Sequence, residues 1–431
     1  MQHIDLVLLG AGLSGLSTAM YRGGDYLFLE REGRPGGLTR TEDIDGFLFN
    51  HTGHWLHLRD DRIKALVADL LPDGMVTVER RAAIYSSGLF TRFPFQGNLH
   101  GLPSEVLREC LQGAVAAAVR RASKGKTSPR NFLEYTNFHF GEGIARHFMV
   151  PYNTKLWGVS PAEVTAEWTQ RFVPMPDITQ IVDGALGLSR EAMGYNASFL
   201  YPEKGGIETL ARALYDRLDP DRFIFNTRPR RLSTKERWVE FGDQRIGYEN
   251  LVSSIALPEL VALDTDAPPE IRRAAKRLRC SVLRYVNVGL DVPRPLNGLH
   301  WVYLPEAAFP FYRVGSASNA VPGLAPAGKS SLYVEIANDQ AAPEGEVVEA
   351  LAGFLKDIGT IEHRKQLLFA AFRTHPYGYV IFDRHCARDR EALLSHYAAM
   401  NVQSIGRYGA WTYNSMEDAI LDGLRAAESL R

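Results

Sequence analysis

The stretch that decides the fold is Ile4-Asp5-Leu6-Val7-Leu8-Leu9-Gly10-Ala11-Gly12-Leu13-Ser14-Gly15. Its first six residues have the length and apolar character of a buried strand, and a helix is predicted from Leu16 onward. Strand, Gly-x-Gly-x-x-Gly and helix follow one another in the order that a dinucleotide site requires. Gly10 permits a tight turn, Gly12 lets backbone N–H groups approach a pyrophosphate, and Gly15 lets helix and strand pack closely. We therefore predict an α/β, Rossmann-like domain that places a diphosphate at the positive end of the helix.

A second predicted strand, Tyr26-Leu27-Phe28-Leu29, ends at Glu30, whose carboxylate can accept hydrogen bonds from ribose hydroxyls. The glycine doublet Gly36-Gly37 follows and gives backbone close access to the cofactor. This combination resembles the large group of FAD-binding proteins that includes amine oxidases, phytoene desaturases and UDP-galactopyranose mutases. The resemblance implies FAD rather than NAD as the cofactor.

Length and composition set limits on function. A chain of 431 residues can hold two or three domains, and 49 basic against 50 acidic residues give no sign of a nucleic-acid partner. Three widely separated cysteines make a disulfide framework improbable. Met1 leads directly into the first strand, so no signal peptide is predicted, and no apolar stretch approaches membrane-spanning length. The expected location is the cytoplasm.

Three histidines, His51, His54 and His57, follow the predicted strand 46–50 at spacings of three. A zinc site is one interpretation, but a glycine breaks the segment and a fourth ligand with suitable local spacing is lacking. A loop beside the flavin is favoured, and no metal is expected.

The α/β pattern is interrupted by a predicted helical block. Residues 104–124 are predicted to be helical, and Ser160-Pro161-Ala162-Glu163 is a capping box that predicts a helix closed by Pro174. This helix would carry Arg171 on an apolar face, either paired with a buried carboxylate or facing an anionic ligand. Residues 281–338 are rich in predicted strands, at 282–288, 299–304, 311–316 and 331–336. Arg313 lies there among aromatic residues and could either snorkel to solvent or line a cleft.

These patterns predict three structural units. The FAD-binding domain is discontinuous and comprises 1–79, 193–279 and 364–431. The helical domain, to which the resemblance to the mutases assigns nucleotide-sugar binding, comprises 104–192, and an antiparallel sheet domain comprises 80–103 and 280–363.

The stretch Phe148-Met149-Val150-Pro151-Tyr152-Asn153-Thr154-Lys155-Leu156-Trp157-Gly158 resembles the nucleotide-binding segment of UDP-galactopyranose mutases. Further blocks that resemble this family, chiefly its eukaryotic-type branch, occur in the same order over essentially the whole chain. They are Phe93-Pro94-Phe95-Gln96-Gly97-Asn98-Leu99, Asn196-Ala197-Ser198-Phe199, Trp301-Val302-Tyr303, Phe311-Tyr312-Arg313, Tyr377-Gly378-Tyr379 and Gly406-Arg407-Tyr408-Gly409.

The resemblance implies a role for each matching position. Cofactor contacts are expected from Gly10, Gly12, Leu13, Ser14, Gly15, Glu30, Arg31, Gly37, Leu38, His54, Gly205, Arg407, Met416 and Glu417. Phe148, Tyr152 and Asn153 would hold uracil, with Phe93 and Gln96 nearby. Arg171 and Arg313 would clamp the diphosphate, as would Tyr379 and Tyr413, and Trp157, Trp301 and Tyr303 would border the sugar. Arg171, Arg313 and His54 are the predicted catalytic residues, with His54 against the reactive edge of the flavin. The last helix, from about Glu417, would point its positive end at the flavin pyrimidine.

The implied activity is a flavin-dependent interconversion of pyranose and furanose forms of a UDP-sugar, through an adduct between reduced flavin N5 and the sugar. The alternative is an FAD-dependent oxidoreductase of the amine oxidase or protoporphyrinogen oxidase type, and a third interpretation is a binder without turnover. NAD(P)H is a possible reductant, and the sugar and oligomeric state are open. The chain departs from the family at Thr52 and Gly97, where the family has glycine and asparagine, and at Glu417, where bacterial mutases tend to have aspartate.

Overall fold

The computed structural model of the protein describes residues 2–72, 74–124, 128–169, 173–188 and 197–430. In chain order, the strands are β1 Gln2–Leu9, β2 Tyr26–Leu29, β3 Thr41–Ile44, β4 Phe47–Asn50, β5 Met75–Glu79, β6 Ala82–Ser86, β7 Leu89–Arg92, β8 Ser198–Pro202, β9 Phe223–Ile224, β10 Pro229–Ser233, β11 Trp238–Phe241, β12 Gln244–Ser253, β13 Arg279–Cys280, β14 Leu283–Leu290, β15 Trp301–Tyr303, β16 Phe311–Gly315, β17 Ser330–Ile336, β18 Leu367–His375, β19 Val380–Ile381 and β20 Val402–Ser404. The α-helices are α1 Leu13–Arg22, α2 Asp61–Leu70, α3 Ser104–Lys124, α4 Phe132–His139, α5 Glu142–Ile144, α6 Val150–Trp157, α7 Ile178–Leu186, α8 Glu208–Tyr215, α9 Leu257–Leu263, α10 Pro269–Arg277, α11 Glu344–Asp357, α12 Cys386–Ala398, α13 Gly406–Gly409 and α14 Met416–Ser429. A π-helical turn, Ala145–Met149, joins α5 to α6.

The first sheet is the predicted α/β unit. Strands β20, β12, β1, β2 and β9 pair in parallel, and β10 and β11 join β12 as an antiparallel meander. The apolar half of β1 is buried because helices cover the sheet, and α1 packs closely against α14. The Rossmann-like fold class is confirmed.

The second sheet has the strand order β18-β14-β17-β16-β15-β6-β7. All seven residues of β17 are buried, and the strand pairs on both edges, with β14 and β16. The register places Tyr303 opposite Arg313 and Arg313 opposite Glu335. Strand β18 belongs to this sheet through its pairing with β14, so the predicted boundary, which placed 364–431 in the FAD-binding domain, is corrected for this strand.

The helical region contains α3 to α7, and α3 has the predicted bounds 104–124. The helix predicted from Ser160 is wrong for the residues that can be described, because 161–168 form turns. The carbonyls of Pro161 and Val164 accept hydrogen bonds from the first residues of α4, and the N–H of Thr165 donates to the carbonyl of Phe382. These tertiary hydrogen bonds compete successfully with the local capping signal. Within the described part of the chain, no helix has the length and apolar character needed to cross a membrane.

Candidate active site

The two glycine motifs meet face to face and form a cradle. An ideal Cβ on Gly37 would lie 3.2 Å from the Cα of Gly12, and a Cβ on Gly15 would lie 2.3 Å from the carbonyl oxygen of Gly10. Helix α1 begins after Gly12 without a side-chain cap, which leaves its first N–H groups for a ligand. A glycine-walled cradle at an uncapped helix start fits the diphosphate of a dinucleotide.

Glu30 lies at the end of β2, where the sequence predicts it, and its buried carboxylate supports the cradle. It accepts hydrogen bonds from the N–H of Ala11 at 2.7 Å and of Glu32 at 2.9 Å. Each carboxylate oxygen retains a lone pair that a ribose hydroxyl could use. Arg31 is exposed, pairs with Glu32 and faces an open pocket that Arg228 and Arg230 also line.

The C-terminal loop closes over the same cradle. An ideal Cβ on Gly406 would lie 2.5 Å from the Ser14 hydroxyl oxygen, which places Arg407 beside the first glycine motif. Helix α14 starts nearby with a capping box between Ser415 and Asp418. The Glu417 carboxylate is held by protein groups, because it accepts hydrogen bonds from the N–H groups of Arg59 and Asp60. At the start of α14, the groups that could still contact a flavin are therefore the backbone and Met416.

Arg313 is paired with a buried carboxylate and also reaches a tyrosine. Its Nε and Nη2 donate to the Glu335 carboxylate at 2.6 to 2.9 Å, and Nη2 donates to the Tyr379 hydroxyl at 2.9 Å. Glu335 is fully buried and also accepts a 2.6 Å hydrogen bond from Tyr312. Among the described residues nothing accepts from Nη1 of Arg313, so this group remains available to an anion. The pairing fixes the plane of the guanidinium.

A row of side chains continues from Arg313 to Arg407, and we call Arg313, Tyr379, Tyr413 and Arg407 the arginine–tyrosine row. The rings of Tyr379 and Tyr413 stack with centroids 5.6 Å apart, and the Arg407 guanidinium lies 4.6 Å from the Tyr413 ring centroid. Burial raises the pKa of Tyr379, so its hydroxyl keeps a proton that it can donate while it accepts from Arg313. The row offers two cations and at least one hydroxyl donor to an anionic ligand.

His54 lies close to both arginines of this row. Burial, followed by the positive charges of Arg407 and Arg313, lowers its pKa to about 4, so the imidazole is neutral at neutral pH. Its Nδ1 is buried and makes no hydrogen bond of good geometry within the described ranges, although the nearby backbone of Thr52 and His51 offsets part of the pKa shift. The preceding Thr52 has a φ of +68°, a left-handed conformation that favours glycine and is unusual for a β-branched residue. Thr52 therefore holds under strain a backbone conformation that glycine adopts readily.

A stack of aromatic rings forms a second feature, which we call the aromatic platform: Phe95, Phe148 and Tyr152. Phe148 lies 5.1 Å from Phe95 and 5.3 Å from Tyr152, in near-parallel stacks. Tyr152 meets the edges of Tyr303 and Tyr312 at 5.3 and 5.9 Å, which joins the platform to the strands that carry Arg313 and Glu335. The platform is part of the core of the helical region, so its contact with a nucleobase stays a prediction.

Polar groups border the platform. Asn153 donates to the carbonyl of Met149 at 2.7 Å, and Gln96 donates to the carbonyl of Pro174 at 2.7 Å. The Oε1 of Gln96 is buried without a partner in the described part of the chain, which makes it a candidate acceptor for a ligand donor. Phe93 lies 5.1 Å from Tyr303 and completes this side.

Other predicted residues lie apart from these contacts. Trp157 packs edge-on against Phe132 and Trp168 in the helical core. Trp301 belongs to an aromatic cluster with Trp55 and Phe199 on the side of the His54 loop.

Gly205 lies in the turn between β8 and α8 at a φ of +77°. Arg171 lies outside the described residues, as does Asn196, so the predicted second arginine of the clamp is not assessed by the structure.

Some residues of the site were not predicted. Glu335 and Tyr312 orient Arg313, and Phe95 extends the platform. A signal for Glu335 was present, since a lone carboxylate inside the apolar strand Ser330–Ile336 requires a buried partner.

The fold and the cradle define a flavoprotein with a Rossmann-like cofactor domain. The chain belongs to the family described as flavin containing amine oxidoreductase, which matches residues 13–431. FAD as its cofactor is thereby confirmed.

Comparison with solved structures gives the same fold over the full chain. A crystal structure of reduced UDP-galactopyranose mutase matches with a TM-score of 0.92 and 24% identity, covering 99% of this chain and 94% of that one. A putative protoporphyrinogen oxidase from Exiguobacterium sp. 255-15 matches with 0.75 and 16%, covering 100% and 99%. Cyclohexylamine oxidase from Brevibacterium oxydans IH-35A matches with 0.68 and 17%, covering 99% and 98%. The predicted resemblance is confirmed at the level of the fold.

Proposed function

We propose that the protein is a flavin-dependent nucleotide-sugar mutase that interconverts the pyranose and furanose forms of a UDP-sugar, with UDP-galactose as the first candidate. The observation that carries this proposal is the junction of the aromatic platform with the arginine–tyrosine row. Tyr152 meets Tyr303 and Tyr312, and Tyr312 shares the Glu335 carboxylate with Arg313. A base-binding surface and an anion-binding surface in direct contact suit a nucleoside diphosphate.

The charges of the row support a diphosphate ligand. Nη1 of Arg313 and the Tyr379 hydroxyl can donate to phosphate oxygens, while Glu335 binds Nε and Nη2 and keeps the guanidinium in place. Charge-assisted hydrogen bonds of this kind are about twice as strong as neutral ones. They would stabilise the negative charge that collects on UDP as its bond to the sugar breaks.

Reduced FAD, when bound, supplies an electron-rich nucleophile for the anomeric carbon. The protein itself would hold UDP in the site after the bond between UDP and the sugar breaks. It would also keep water out of the site. His54, neutral and with a buried Nδ1 that makes no hydrogen bond of good geometry within the described ranges, is the residue we assign to contact the flavin edge or a sugar hydroxyl. The aromatic platform and Tyr303 would help to exclude water, which could otherwise capture the glycosyl group after UDP leaves.

The second candidate is an FAD-dependent oxidoreductase, which the family match and the similarity to oxidase structures favour. An amine oxidase does not need a diphosphate clamp, so the arginine–tyrosine row would have no role in binding its substrate. We therefore rank the mutase first.

Ligand binding separates the two candidates. UDP is titrated into the purified FAD-loaded protein by calorimetry, and a panel of primary amines is tested for hydrogen peroxide production. Micromolar UDP binding without amine-dependent peroxide supports the mutase. Peroxide production without UDP binding overturns it in favour of the oxidase. UDP binding without conversion of a UDP-sugar by the reduced protein would instead indicate a binder.

A further inference from the structure

Lys155 is a charged residue buried between α6 and the second sheet. Its side chain is 2% exposed, and Nζ donates to the carbonyls of Leu304 at 3.0 Å, Glu306 at 2.8 Å and Phe311 at 2.8 Å. These three bonds use all three N–H groups of the ammonium. The three acceptors lie at the two ends of the loop that joins β15 to β16, so the lysine links α6 to both ends of this loop.

This arrangement lacks the usual counter-ion. Nζ donates to three backbone carbonyls and, within the described ranges, forms no ion pair with a carboxylate. Burial lowers the pKa of Lys155 to about 7, with Asp339 and Glu306 opposing this shift in part, so the ammonium form that donates all three bonds predominates below neutral pH. Burial of a charge held in this way costs desolvation free energy. Its role therefore lies in the elements that the lysine connects.

The two tethered elements carry different parts of the site. Helix α6 carries Tyr152 and Asn153, which border the aromatic platform, and the hairpin carries Tyr303 on β15 and Arg313 on β16. Lys155 lies one turn after Tyr152 on the same helix.

A second tether lies beside the first. The backbone N–H of Asn338 donates to the carbonyl of Lys155 at 2.8 Å, and the Asn338 side chain donates to the carbonyl of Leu156 at 2.9 Å. Asn338 follows β17, the strand that carries Glu335. The end of α6 is thus fixed to both strands that hold the Arg313–Glu335 pair.

We propose that Lys155 is a positioning residue that sets the distance between the nucleobase-binding helix and the diphosphate-binding hairpin. It touches neither ligand itself, and the assignment rests on the proposed function. Its loss should weaken ligands that span both elements and spare ligands that contact only one, because only a spanning ligand depends on the spacing that the lysine fixes in advance.

The test compares UDP with uridine as ligands of the FAD-loaded protein. Lys155→Met keeps the apolar length of the side chain and removes the three hydrogen bonds. The variant is expected to retain FAD absorbance, to raise the Kd for UDP by about tenfold or more and to change the Kd for uridine by less than about threefold. Lys329→Met, at an exposed lysine in the turn before β17, is the matched control and should bind both ligands as the wild type does.

The outcomes are distinct. Equal weakening of UDP and uridine, or unchanged binding of both, overturns the positioning role. Absence of UDP binding by the wild type overturns the proposed function and this assignment with it. If Lys155→Met does not fold, Asn338→Ala removes the neighbouring side-chain tether and leaves the lysine in place. That variant should weaken UDP about threefold with uridine unaffected, and a parallel change in both would again overturn the proposal.

Discussion

Replacement of Arg313 should affect both stability and ligand binding. Its guanidinium is bidentate to Glu335, which is fully buried. Arg313→Ala leaves this carboxylate without a counter-ion, at a cost of about 3–5 kcal/mol in the free energy of unfolding. With an unfolding entropy of about 2.1 cal/mol/K per residue, the whole chain would unfold with about 0.9 kcal/mol/K, so Tm should fall by about 3–6 °C.

The double variant Arg313→Met with Glu335→Gln separates the two effects. Glutamine keeps an acceptor for the Tyr312 hydroxyl and buries no charge, so Tm should return to within about 2 °C of the wild type. UDP binding, measured by calorimetry, should stay lost because the guanidinium is still absent. Arg364→Ala, which breaks an exposed pair with Glu349, is the matched control and should change Tm by less than about 1 °C.

Two results would refute this reasoning. If the single Arg313→Ala variant had the same Tm as the wild type, burial of the Glu335 carboxylate would not require the arginine as a counter-ion. A double variant that binds UDP normally would remove Arg313 from the proposed clamp.

Three further predictions test other parts of the site. Thr52→Gly should raise the unfolding free energy by up to about 1 kcal/mol, because the left-handed backbone costs a residue with a Cβ about 1–2 kcal/mol and the freedom of glycine in the unfolded chain offsets part of this gain. Thermal melts check it against Thr77→Gly in the extended strand β5, which should destabilise; a lower Tm for Thr52→Gly would contradict it. The pKa of His54, lowered to about 4, means that the unfolded chain holds more protons at this residue between about pH 4 and 6.5, so stability rises with pH across that window. His54→Asn should flatten the slope of Tm against pH there and surface His363→Asn should not; an unchanged slope for the first variant would be the contrary result. Phe148→Leu should raise the Kd for UDP about tenfold through loss of base stacking, which calorimetry measures, and an unchanged Kd would exclude the platform as the base site.

The cofactor cradle could be predicted because its determinants are local in sequence. Gly10, Gly12 and Gly15 lie within six residues at the junction of β1 and α1, and Gly37 follows the next strand. Each acts through its own backbone, so spacing alone conveys its role. The contact between Gly12 and Gly37 then follows from the fold.

The parts that could not be predicted depend on tertiary contacts. From the sequence, Arg313 could either extend to solvent or line a cleft. Its partner Glu335 becomes adjacent only through the pairing of β16 with β17. The helix predicted at Ser160 failed because distant backbone groups occupy the carbonyls and N–H groups that it would have used. The sequence likewise does not indicate that Trp157 packs against Phe132 and Trp168 in the helical core, and its contact with a sugar stays a prediction.

The central claim is that the flavin held by the glycine cradle serves isomerisation of a nucleotide sugar bound by the platform and the row. The most direct measurement is incubation of the purified FAD-loaded protein with UDP-galactopyranose, with and without dithionite, followed by chromatography for UDP-galactofuranose. The account predicts conversion in the reduced sample and none in the oxidised one. The account would be contradicted if the reduced, FAD-loaded protein did not convert UDP-galactopyranose at saturating substrate.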